Sequence, residues 1–163
     1  MVPRKKRKAI DAWERFTADL ALCLSDLDED DFLIVGARQK NHYVQFSAQG
    51  AYGMRAEAAC NSYIDPPDVL SVEDYERMAE LGWGAATDSA EQDQTEERSP
   101  DGSPNFFIHI PLPIDFSALA RLAVQSLREV YGVAHVRELQ YSAFAEDETQ
   151  IRFPTLRIKR QGE

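Results

Sequence analysis

Cysteine and histidine are scarce in this 163-residue sequence, with two of the first and three of the second. Cys23 and Cys60 form no Cys-x-x-Cys pair and no Cys/His cluster, so the sequence spells out neither a zinc site nor a dithiol redox motif. Both are expected to be buried thiols in a reducing cytoplasm. His42, His109 and His135 are read as ordinary polar side chains, and no metal site and no cofactor are expected. No serine stands in a Gly-x-Ser-x-Gly elbow. Glycine-rich phosphate loops are also missing, because Gly82-Trp83-Gly84 is too short and precedes no helix. These absences leave no catalytic constellation, and the chain is read as non-enzymatic.

Long apolar runs are absent too. None approaches the roughly 18 residues that a bilayer-spanning helix needs, so membrane insertion is not expected. The start, Met1 to Lys8, is basic with no apolar segment behind it, which does not read as a secretory signal. The run Asp26 to Asp31 carries many acids but lacks the central glycine of a calcium loop.

Charge is abundant and unevenly placed. The formal net charge is −10. Of 18 basic residues, five lie within residues 1–8 and four within 152–163, leaving 9 bases against 27 acids between residues 9 and 151. An acidic body argues against a nucleic-acid-binding face, which needs a positive patch to meet phosphates. The basic tails remain free to touch nucleic acid or another anionic surface, and this is the alternative functional reading.

The apolar pattern reads as an α+β fold. Trp13, Phe16, Leu20, Cys23, Leu24 and Leu27 recur at steps of three and four and make one helical stripe, with Asp11 and Glu14 placed as a capping box. Phe32 to Val35, Tyr43 to Ala48 and Met54 to Ala58 read as three antiparallel strands. Ser71 and Asp74 open a short helix that Gly82 closes. Phe106 to Ile110 reads as a fourth strand, ended by Pro111 and Pro113. Asp115 caps a second long helix with the stripe Phe116, Leu119, Leu122, Ala123, Leu127 and Val130. Leu139, Tyr141 and Ala143 form a fifth strand, and Ile151 to Ile158 suggest a weak, exposed edge strand.

The expected architecture is therefore an antiparallel sheet of about five strands packed against two long helices and one short helix. Its organisation is a basic disordered tail over residues 1–8, one domain over 9–145, and a tail or edge strand over 146–163. Within the domain, residues 84–104 hold six acids and one base with almost nothing apolar, so a mobile loop is expected there.

Aromatic residues remain beside loops or on the second face of the sheet: Tyr43, Tyr52, Tyr63, Trp83, Phe107 and Tyr141. They form either a second small core beneath the loops or a partner-binding groove, since aromatics are the usual interface anchors. The functional expectation is a chaperone- or adaptor-like module that binds a client polypeptide through this surface.

Several segments in order resemble a known family. They are Tyr43-Val44-Gln45-Phe46, Glu57 to Ile64, Leu70-Ser71, Leu81-Gly82-Trp83, Pro104 to Phe107, and Leu127 to Val133 with Leu139 and Tyr141. The set is similar to the actinobacterial members of the TY-Chap superfamily, which joins type III secretion chaperones to YbjN-like proteins. The resemblance implies a type III secretion chaperone-like fold and a non-enzymatic peptide-binding chaperone or adaptor of a commonly dimeric kind, so a homodimer is an expectation here, and the chain is read as cytoplasmic.

Overall fold

The structure is a computed structural model and describes residues 10–163. The basic tail anticipated over residues 1–8 lies outside the described residues.

Helix α1 spans Ala12–Ser25 and is capped by the Asp11 carboxylate, which accepts from the Trp13 backbone N–H at 3.4 Å. The cap therefore engages the second residue of the helix, and Glu14 does not close the expected reciprocal box. Strands β1 (Phe32–Ala37), β2 (Tyr43–Ala48) and β3 (Met54–Ala58) follow as a meander. Helix α2 spans Val72–Leu81. Its capping box is complete, with Ser71 Oγ accepting from Asp74 N–H at 3.1 Å and Asp74 accepting from Ser71 N–H at 2.9 Å. Gly82 ends α2 at φ 113°, a left-handed geometry that favours glycine. Strand β4 is Phe106–Ile110, helix α3 is Phe116–Gln125, and strand β5 is Leu139–Phe144.

The six-stranded sheet has the order β4-β3-β2-β1-β5-β6. Every pairing is antiparallel except β5 with β6, which is parallel. Strand β6 is only Lys159–Arg160. The edge strand expected over Ile151 to Ile158 does not form. Pro154 opens a short 3₁₀ turn, Pro154–Leu156, and Phe153 and Leu156 turn into the core. The Phe153 backbone N–H donates to the Tyr141 hydroxyl at 3.0 Å. Burying two large apolar side chains outweighs a solvent-exposed ladder, at roughly 1.5–3 kcal/mol per side chain.

All three helices lie on one side of the sheet. Leu33 and Val35 of β1, Val44 and Phe46 of β2, and Ala56 of β3 face them, together with Phe16, Leu20 and Leu24 of α1 and Leu119, Ala123 and Leu127 of α3. After Gln125 the last helix widens into a π turn, Ser126–Val130. The Ser126 hydroxyl is buried, donates to the Leu122 carbonyl at 2.8 Å, and accepts the Trp83 indole N–H at 2.8 Å. Among the described residues no helix is long and apolar enough to cross a membrane.

Candidate functional site

Strand side chains alternate between faces, so the residues between the core positions emerge on the side without helices. This second face carries Phe32 and Ile34 of β1, Tyr43, Gln45 and Ser47 of β2, Arg55 and Glu57 of β3, Phe107 and His109 of β4, and Gln140, Ser142 and Phe144 of β5. His109 is exposed and the others are half-buried.

The segment 84–104 lies over the β2–β4 half of this face. Gly84 forms an antiparallel bridge with Phe107, through hydrogen bonds of 2.9 and 3.1 Å. The Arg55 guanidinium donates to the Gly102 carbonyl at 2.5 Å, meets Glu57 at 3.4 Å, and stacks over the Phe107 ring at 5.0 Å. The Ser103 hydroxyl donates to the Glu57 carboxylate. The Asn105 side-chain amide donates to the Tyr43 hydroxyl at 3.2 Å while its oxygen accepts from Cys60 N–H at 3.2 Å. Farther out, Tyr63 donates to Asp93 at 3.3 Å. Burial first, then the Asp93 charge and its hydrogen bond, push the Tyr63 hydroxyl up to about 12. Burial likewise raises Tyr43, partly offset by the Asn105 hydrogen bond. A groove of about 530 Å³ remains between Arg55, Glu57 and the segment's Asp93, Arg98 and Pro100.

The β1–β5 half is not covered in this way. Phe32 and Phe144 face each other in register and stack at 5.3 Å with an interplanar angle of 20°. Beyond them a smaller groove of about 160 Å³ opens between Ile34, Gly36, Tyr43, Gln140 and Ser142. Gly36 is needed there because an added Cβ would sit 2.6 Å from the His42 carbonyl oxygen and 2.9 Å from Tyr43 Cβ.

The six aromatic residues singled out from the sequence divide three ways. Tyr43, Tyr63 and Phe107 gather beneath or beside the acidic segment. Tyr52 stands apart at the tip of the β2–β3 turn, 77% exposed. Trp83 and Tyr141 are core residues, at 4% and 5% exposure, which corrects the expectation that they line an accessible groove. Trp83 is drawn in because its indole N–H satisfies Ser126, and Tyr141 because it shares the helix-facing side of β5 with Leu139 and Ala143. Phe32, Ile34 and Phe144 were missed. Phe32 to Val35 reads as one continuous apolar run, which a strand buried on both faces would also give. Only the register shows which two residues look outward.

The chemistry of the site is that of a surface. Among the described residues no group of three or more histidine, cysteine or acidic side chains converges to hold a metal. His42 is buried, with Nε2 2.9 Å from the Asp68 carbonyl oxygen and its ring stacked on Tyr131 at 5.1 Å. The open edges offer little backbone. Gly84 takes the outward hydrogen bonds of Phe107, Pro111 follows β4 directly, and β6 has only two residues.

A family model described as T3SS (YopN, CesT) and YbjN peptide-binding chaperone 3, TY-Chap3, matches residues 6–145. No curated protein and no solved structure matches the chain.

Proposed function

Since the chain belongs to the TY-Chap3 family of peptide-binding chaperones, we propose that it holds a segment of a client polypeptide against the uncovered β1–β5 half of its second sheet face. The observation that carries this reading is the stacked Phe32–Phe144 pair, with Ile34 beside it, on a face that no helix covers. A flat aromatic pair beside a groove gives a client side chain somewhere to bury. Central aromatic anchors of this kind dominate binding energy, at about 2 kcal/mol or more each. Grip comes from side chains, because the sheet edges have few backbone groups left to pair with an added strand. Tyr43 and Phe107 form the border of the site, where the acidic segment meets the sheet. The module works without catalysis, in the cytoplasm.

The test is a library of apolar and polar 12-residue peptides screened against the full-length protein, followed by Phe144→Ser and Ile34→Lys variants. The reading expects a set of apolar-containing peptides to bind. It also expects both variants to lose at least tenfold in affinity while keeping the wild-type far-UV circular dichroism. Unchanged affinity in both folded variants would place binding elsewhere.

A further inference from the structure

The uncovered half of the sheet ends among unusual neighbours. Strand β1 begins and strand β5 ends at the same place, because Phe32 pairs with Phe144. Two wholly acidic segments are therefore brought together there, Asp28–Asp31 just before β1 and Glu146–Glu148 just after β5. The first is fixed to β2 by Asp30 N–H to Ala48 O at 2.9 Å and by Ala48 N–H to Asp31 O at 3.1 Å. The second is a tight turn closed by Ala145 N–H to Thr149 O at 2.9 Å. All of these acids are exposed except Asp31, which is half-buried. None takes part in an ion pair among the described residues. In the chain, Arg152 is the one base between Glu138 and Arg157.

The same end of the sheet carries apolar surface. Tyr52 lies in the turn before β3 and Leu112 follows β4, at 77% and 55% exposure. Met54 pairs with Ile110. An added Cβ on Gly53 would run into the Ile110 carbonyl oxygen, so the two segments are held side by side. Apolar anchors bordered at this end by unpaired negative charge, with Lys40 at the far end of the groove, select one kind of occupant.

We infer that the segment held on this face is a basic, apolar stretch of another chain, with lysine or arginine meeting Asp28–Asp31 and Glu146–Glu148 while its apolar side chains seat on Phe32, Ile34 and Phe144. This rests on the function proposed above and names the class of its client. An acidic segment would meet like charges at close range, which costs affinity and slows association. The charge also steers the partner in, an effect that fades as salt shortens the screening length. The chain's own Arg4–Lys8 is the competing occupant. The experiment below separates the two occupants.

The experiment uses three fluorescein-labelled 12-residue peptides of equal length and full-length protein. One alternates lysine with leucine and phenylalanine, one has glutamate for lysine, and one keeps lysine but has serine for the apolar residues. Anisotropy is read at about 50 mM and about 300 mM salt. The basic-apolar peptide is expected to bind at least tenfold tighter than either control at low salt and to lose most of that margin at high salt. A variant combining Asp28→Asn, Asp30→Asn, Glu146→Gln and Glu148→Gln is expected to lose about tenfold for that peptide alone. It spares Asp31 and Asp147, whose carboxylates accept the backbone N–H groups of Asp28 and Thr149. Equal binding of the basic and acidic apolar peptides, abolished by Phe144→Ser, would overturn the inference and leave the proposed function standing. Failure of all three peptides would overturn both. Binding that emerges only when Arg4–Lys8 are replaced by serine would also overturn it, by making the chain's own basic segment the occupant.

Discussion

The two faces of the sheet are built from alternate residues of the same five strands, yet they do different things. Toward the helices, Leu33, Val35, Val44, Phe46 and Ala56 are fully buried. Toward the other side, their immediate neighbours Phe32, Ile34, Tyr43, Gln45 and Arg55 keep part of their surface in water. One residue of register separates a position that holds the fold together from one free to take up a partner.

The sharpest way to break this contrast is a matched pair of truncations. Phe46→Ala empties a fully enclosed site and should cost about 3–5 kcal/mol. Phe144→Ala removes a half-exposed ring and half of an aromatic pair, and should cost about 1 kcal/mol or less. Urea unfolding reads both as shifts in midpoint at constant slope. Similar costs for the two would mean that the second face is a true core.

A smaller effect is expected where a loop end meets the helix layer. Ser126→Ala leaves the Trp83 indole N–H buried with no acceptor, an expected loss of about 1–3 kcal/mol. Trp83→Phe in the same background should recover part of it, because no donor is then left stranded. No recovery would mean that the hydroxyl matters only to the π turn.

The smallest effect concerns the acidic segment, and it divides that segment in two. Residues 90–98 are almost all exposed, and replacing them with a short Gly-Ser link should move the melting temperature by about 2 °C or less. Glu57→Gln weakens the ion pair to Arg55 at the segment's base, and exposed or half-exposed pairs contribute about 1 kcal/mol or less. Its signature should be faster amide exchange across residues 99–105 with little change in global stability. Unaltered exchange there would show that backbone pairing at Gly84 alone anchors the segment.

Much of the fold was legible because local chemistry spelled it out. Asp11, Ser71, Asp115 and Gly82 each sit at a helix end where their side chains or backbone freedom are used. In β2 and β3 the strict alternation of buried and half-buried residues follows the alternation in the sequence, with Val44, Phe46 and Ala56 inside and Tyr43, Gln45 and Arg55 outside. The C-terminal stretch was misread because its logic is tertiary. Phe153 and Leu156 stand three apart, which would put them on opposite faces of a strand, and the 3₁₀ turn Pro154–Leu156 lets both pack onto the core. Tyr141 was legible in principle, since its parity with Leu139 and Ala143 placed it inward. Trp83 was not, because a residue just past a helix cap can turn either way. The convergence of Asp28–Asp31 with Glu146–Glu148 could be seen only once β1 and β5 were known to be partners, more than a hundred residues apart in the chain.

The bridge from Gly84 to Phe107 has a consequence for how a bound chain leaves. A strand added to an open edge is held by a ladder of backbone hydrogen bonds that ignores sequence and tends to recruit further strands. Here that edge is closed at Phe107 by the protein's own Gly84 and ends at Pro111, which leaves only a short stretch between them. On the proposed reading, a visiting chain is held chiefly by the side chains it carries, and it leaves without a long ladder to unzip.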